Sequence, residues 1–433
     1  MISVQEKMKV PRRVLAACSL GTILEWYDFS VYAYLAPVLA PLFFPHEDKV
    51  ISIVLAYSVF AIGFFVRPLG AVLFGHFGDR VGRKKVLIYS IILIATSTAL
   101  IGVLPTYSQA GKLAPILLII LRILQGVTIG GEVAGACSFV IESTQNERRG
   151  FATSLIWACS GVGILFSSII VSAVTFFMAP AELSGWGWRL PFLLAAVTGM
   201  AGYYFRKNTS ESFQFVRMQI SDKTVRFPFV ESIKKFKVEM LLTSGLYVSS
   251  AMITYLVSVY MPIYASKTIG LPFSQTMAVN TVIMTCMVLL VPVFGYYSDI
   301  FGRRKILMIA SILLSICAFP LYVFITRGSL INLVVAQALL ALIGSAYQGA
   351  ITRTVLEMFP ANVRYSAVGF GYNLAYSLFG GTAPVVAVCL INRLNFNSAP
   401  GLYLAAGALI SFFSACYLKE SCSINVKDIP QWV

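Results

Sequence analysis

"GHFGDRVGRKKVL" (Gly75–Leu87) places five formal charges between two long apolar runs, and "GYYSDIFGRRKIL" (Gly295–Leu307) repeats the pattern 220 residues later. The flanking runs set its meaning. The 433 residues are 58% hydrophobic and 12% charged, about half the charged fraction of a soluble globular protein. The apolar residues group into segments of about 20, long enough to cross a bilayer as helices. No short alternating strands of the kind a transmembrane barrel needs are present.

Apolar segments fall at 14–40, 51–74, 86–104, 114–141, 151–178 and 190–205. They resume at 239–265, 275–298, 306–326, 331–357, 366–391 and 401–418. The reading is an all-α polytopic membrane protein of twelve transmembrane helices in two six-helix bundles. Residues 1–205 form the first bundle, 206–238 a cytoplasmic linker, and 239–433 the second bundle with a short cytoplasmic tail. With the N-terminus inside, 24 Lys and Arg lie on the cytoplasmic side, six on the other and three within spans (Arg67, Arg122, Arg353). That bias places both termini in the cytoplasm.

The net charge of +15 invites a nucleic-acid partner. The basic residues sit in short connections rather than on one soluble patch, which argues against it. Eight cysteines without a CxxC pair read as packing residues, and two separated histidines, His46 and His76, suggest no metal site. No phosphate-cradling GxxxxGK[ST] loop is present, so neither ATP nor another cofactor is expected to drive the protein.

A second landmark supports duplication: Glu142-x6-Arg149 and Glu357-x6-Arg364 stand 215 residues apart. Parallel repeats about an axis along the membrane normal suit a transporter that binds its solute between halves. Gly75 and Gly82 permit tight turns in the first charged string. Asp79, Arg80, Arg83, Glu142 and Arg149, with Asp299, Arg303, Glu357 and Arg364 in the second half, are candidates for a breakable conformational latch. The alternative for the basic members is that they only enforce topology.

"GHFGDRVGRKK" resembles the loop motif of the major facilitator superfamily, and "RILQG" (Arg122–Gly126) resembles its fourth-helix motif. More narrowly, "EWYDF" (Glu25–Phe29), "VRPLGAVLFG" (Val66–Gly75), "RILQGVTIGGE" (Arg122–Glu132), "GWGWRLPF" (Gly185–Phe192), "YMPIY" (Tyr260–Tyr264) and "GYNLAYSLFGGTAP" (Gly371–Pro384) are similar to the metabolite:proton symporter family. That family includes proline/betaine and α-ketoglutarate permeases. "RKNTSESF" (Arg206–Phe213) departs from the PESPR-type string of sugar porters, and "ACSGVGILFSS" lacks the Gly-Pro pair of drug antiporters. The tail after Lys419 is short for a coiled-coil extension, so osmotic activation by that route is not expected.

The resemblance implies proton-coupled uptake of a small carboxylate or zwitterion across a bacterial inner membrane by a monomer. An effluxer of the same fold is the alternative, ahead of a membrane receptor or enzyme. Ionisable residues inside spans are costly and mark function. Glu25 and Asp28 share a face of the first helix. Arg122, Gln125 and Glu132 share a sector of the fourth, with Gly126-x3-Gly130 and Gly131-x3-Gly135 free to pack against neighbours. Glu132 or Asp28 is a candidate to load a proton, because low dielectric opposes the charged carboxylate. Arg122 either grips a solute carboxylate, swaps partners with the acid, or holds helices together in a buried pair. Arg67 either joins the site or snorkels to the interface. Tyr260, Tyr264, Asn280, Gln348, Asn373 and Tyr376 are candidate cavity-lining groups. Trp186 and Trp188 are expected at the outer interface, and Arg189 beside them carries no assigned role.

Overall fold

The computed structural model describes residues 12–81, 83–143, 149–207 and 228–418. Gly82 lies outside these, and so do the side-chain surroundings of Gly75, Asp79, Arg80, Arg83, Glu142 and Arg149. The first half comprises α1 (Arg12–Phe43), α2 (Lys49–Phe65 continued by Arg67–Val81), α3 (Arg83–Val103), α4 (Leu113–Ile129 continued by Glu132–Ser143), α5 (Arg149–Phe177) and α6 (Arg189–Lys207). The second half begins with α7, whose segments are Lys237–Met252, a π-helical turn Ile253–Val259 and Met261–Lys267. It continues through α8 (Phe273–Phe301), α9 (Arg303–Ile325) and α10 (Leu330–Glu357). Then come α11 (Ala361–Ala375, π-helical Tyr376–Gly380, Ala383–Leu394) and α12 (Ala399–Cys416). A short helix, Pro228–Lys235, precedes α7.

Nine of these helices are long and apolar enough to cross a bilayer; α1, α3 and α6 bring the described set to twelve. Their outward faces carry exposed apolar side chains such as Leu69, Leu241, Leu289 and Ile316, the pattern expected where lipid is the solvent. Asp48 caps α2 by accepting from the Val50 N–H at 2.8 Å, which satisfies one of the four orphan donors of a helix start. In the second charged string Gly302 adopts φ +94°, so the chain turns from α8 directly into α9 without the strain a Cβ would bring.

Close helix crossings depend on glycine. A Cβ on Gly126 of α4 would strike the Gly63 carbonyl of α2, and one on Gly130 would strike the Arg67 carbonyl. Glycine lets these backbones approach as small residues do in membrane bundles. The second glycine pair of α4 faces the other half, with the Tyr365 ring seated over Gly131 and Gly135. Trp186 is 55% exposed as expected at an interface. Trp188 is not: it is fully buried against Phe43 and Phe192, because the turn before α6 folds it back onto the end of α1.

Candidate functional site

Two arginines define the centre of the first half. Arg122 of α4 is fully buried, 3.7 Å above the Tyr32 ring. Its Nη1 donates to Gln125 Oε1 at 2.9 Å, and Gln125 Nε2 donates to the Thr98 hydroxyl at 2.5 Å. Asp28 lies beside Thr98, so a polar chain runs from Arg122 to the acid of α1. Arg67 stacks on Phe64 at 3.9 Å and on Phe29 at 4.2 Å. It is 1% exposed and reaches no interface, so it does not snorkel. Both Arg67 and Arg122 keep guanidinium nitrogens without a hydrogen-bond partner among the described residues: Nε and Nη1 of Arg67, Nε and Nη2 of Arg122.

The break of α2 at Val66 and of α4 at Gly130–Gly131 lies beside these residues. Glu132 opens the second segment of α4 and forms an ion pair with Arg206 of α6, while the Ser90 hydroxyl donates to its other oxygen at 3.2 Å. Arg206 belongs to this buried charged cluster, and sequence reasoning missed it. It reads there as one more cytoplasmic cation at a span end, yet α6 continues through it and buries it to 4% exposure. Glu25 and Asp28 are both buried on α1; both oxygens of Glu25 and Oδ1 of Asp28 lack a partner among the described residues.

Aromatic side chains from both halves meet beside this cluster. Trp26 of α1 stacks on Tyr255 with centroids 6.3 Å apart and meets Tyr376 edge-on at 5.8 Å. Trp157 of α5 meets Tyr372 and Tyr376, and Phe64 meets Tyr255 at 5.2 Å. Tyr255 and Tyr376 both sit in the π-helical turns of α7 and α11, a distortion that recurs at functional sites. A cavity of about 20 Å³ remains between the halves, lined by Trp26, Trp157, Ser160, Thr254, Met287 and Gln348. Gln348 donates to Thr254 at 3.1 Å.

The other sequence candidates are distributed around this centre. Asn373 Nδ2 of α11 donates to the Gly130 carbonyl at 2.7 Å and Tyr365 to the Gly131 carbonyl at 2.5 Å. Ser377 donates to the Phe64 carbonyl at 2.5 Å. These bonds cross between the halves. Toward the opposite face, Asn280 of α8 donates to the Tyr34 hydroxyl at 3.1 Å, and Tyr34 donates to the Ser258 carbonyl at 2.9 Å. Tyr260 packs edge-on against Tyr57 across the interface. Tyr264 is turned away and donates to the Asn397 carbonyl at 2.8 Å.

Among the described residues, the ion pairs of the second string join residues of the second half. Arg353 bonds Asp299 at 2.5 Å and Glu357 at 2.8 Å, and Arg303 pairs with Glu357. Arg364 donates to the Leu356 and Phe359 carbonyls at 2.7 and 3.1 Å, closing the end of α10. Asp299 also lies near the Phe151 N–H at the start of α5, but its Oδ2 completes no aligned hydrogen bond. Arg189, unassigned from sequence, donates to the Gly102 and Leu104 carbonyls at 2.9 and 2.7 Å. It ties the end of α3 to the start of α6, where orphan carbonyls need donors.

The sequence profile of the Major Facilitator Superfamily matches residues 18–284 and 243–427. The shikimate transporter of Escherichia coli (strain K12) is 33% identical over 416 residues, 95% of this chain and 95% of that protein. The proline/betaine transporter of the same strain is 32% identical over 426 residues, 96% and 85% respectively. The xylose transporter from E. coli, in a partially occluded inward open conformation, superposes with a TM-score of 0.77 at 16% identity, covering 95% of this chain and 98% of that one. With twelve helices in two halves and family likeness along nearly its whole length, the chain belongs to the Major Facilitator Superfamily, in its metabolite:proton symporter family, and is a multi-pass membrane transporter rather than an enzyme.

Proposed function

We propose that the chain takes up a small organic carboxylate or zwitterion together with protons, by alternating access. The observation that carries this reading is the pair of buried guanidiniums, Arg67 and Arg122, which flank Phe29 and keep unused N–H groups. An unpaired cation inside a membrane protein is expensive, and a solute carboxylate would supply the missing acceptors. The planar fork of arginine suits that group. The Trp26, Tyr255 and Tyr376 faces beside them offer a wall for the cationic end of a zwitterion. Two relatives are named for proline/betaine and for shikimate, and all three solutes carry a carboxylate.

The cavity of about 20 Å³ beside Trp26 and Trp157 is far below the roughly 300 Å³ at which small-molecule pockets begin. A solute bound at this aromatic centre therefore requires the halves to part there. Hydrogen bonds tie them on both sides of the aromatic centre, through Asn373 and Tyr365 on one and Tyr34 and Asn280 on the other. Because one chain forms both walls, a monomer suffices. The Lys and Arg bias supports cytoplasmic termini in a bacterial inner membrane. The proton gradient is the driving force, through the buried acids of α1 and α4, and no cofactor is invoked.

The test is uptake of labelled shikimate, L-proline and glycine betaine into proteoliposomes, beside their methyl esters or amides. Uptake is expected to require the carboxylate and to fall by about tenfold or more in R122K, which keeps the charge and loses the fork. Equal uptake of the esters, or an R122K protein that transports normally, contradicts the reading.

A further inference from the structure

Three acids are buried on α1 and α4, and their surroundings differ. Glu132 is held by Arg206 and Ser90. A Cβ on Gly21, one turn before Glu25, would strike both Arg206 and Glu132, so glycine keeps room for that pair. Asp28 joins the polar chain that leads through Thr98 and Gln125 to Arg122.

Glu25 is 1% exposed, makes no ion pair among the described residues, and has no hydrogen bond at either oxygen. The charged groups that face it are Asp28 on its own helix, Arg67 from α2, Glu132 from α4 and Arg206 from α6. Arg206 is taken by Glu132, and Arg67 makes no ion pair with Glu25 among the described residues, so a Glu25 anion would have no bonded counterion. Tyr255 of α7 and Tyr372 of α11 face it from the other half. A cavity of about 10 Å³ bounded by α1, α3 and α6 touches both Glu25 and Asp28, room for a single water.

We infer that Glu25 is the residue that takes up and releases the transported proton; this rests on the symport reading above. Its carboxylate binds a proton from water on one face and carries it as the neutral acid while the halves are closed around it. It then returns the proton to water on the other face. Glu132 is occupied by Arg206 and Ser90, and the water-sized cavity connects Glu25 with Asp28. Opening of the halves changes the surroundings of Glu25 directly, because aromatic side chains of the second half close over it.

Infrared titration of the purified full-length protein in lipid nanodiscs tests the assignment without needing a solute. One titrating component of the buried carboxylic-acid absorption, present in the wild type, in D28N and in E132Q, is expected to be lost in E25Q. An E25Q spectrum that keeps every component seen in the wild type overturns the proposal. If E25Q does not fold, E25D must shift that component's frequency, and an unshifted band overturns it equally. In proteoliposomes, E25Q is expected to lose solute-driven proton influx with shikimate, L-proline or glycine betaine as probe, and retained influx overturns the role. Wild-type protein that moves these solutes without protons would sink the symport reading, while the infrared band would still report on Glu25.

Discussion

Asn373 of α11 gives its side-chain amide to the Gly130 carbonyl of α4 across 2.7 Å. Helix α4 is interrupted between Ile129 and Glu132, and a broken membrane helix releases carbonyls that need other donors. Those donors come from the opposite half, because Tyr365 takes the next carbonyl and Ser377 takes Phe64 beside the break in α2. The two halves are thus held together where each arginine-bearing helix is discontinuous.

Replacing Asn373 with leucine removes a donor and leaves the Gly130 carbonyl without it. Spin labels on the exposed residues Lys85 and Ile300, at the helix ends of the same face, should report longer distances in N373L than in the wild type. An unchanged distance distribution would show that this bond does not hold the halves together.

Gly126 faces the Gly63 backbone, so even one methyl group must push α4 from α2. The expected loss for Gly126→Ala is about 1–3 kcal/mol, the range for overpacking a tight core. Gly185, with nothing within 4 Å of an added Cβ, serves as the control. Thermal unfolding in detergent should lower the transition for G126A and leave G185A near the wild type.

Arg206→Gln strips Glu132 of its cation while the acid stays buried. Removing one partner of such a pair typically costs about 3–5 kcal/mol. Most of that loss should return in the double variant R206Q/E132Q, which buries two neutral amides instead. A double variant as unstable as R206Q would show that the pair is not what α4 and α6 depend on.

Trp26 contacts aromatic residues of both halves. W26L should weaken glycine betaine binding by about 0.5–2 kcal/mol if its face receives a cation, with shikimate affected less and W26F intermediate. Calorimetric titration of the purified protein distinguishes this from a general packing defect, which would weaken both solutes alike.

Much of the fold was legible because the physics behind it is local. Runs of about 20 apolar residues report the thickness of the bilayer whatever they pack against. Arg122, Glu132, Glu25 and Asp28 stood out for the same reason, since a charge inside a span is too costly to be incidental. Arg206 was hidden because a cation at a span end is the normal topology signal; only the course of α6 shows that it turns inward to Glu132. The π-helical turns that present Tyr255 and Tyr376 carry no sequence signature, being set by tertiary packing. Nor could spacing tell that Arg303, Arg353, Asp299 and Glu357 pair within one half, because a charge pattern does not state which neighbour it meets.

The most direct test of the central claim is solute accumulation in proteoliposomes under an imposed proton gradient, acidic outside. Labelled solute should rise above its external concentration and should fall back to it when a protonophore collapses the gradient. Uptake that stops at equal concentrations with the gradient intact, and that the protonophore leaves unchanged, would contradict proton-coupled transport by this chain.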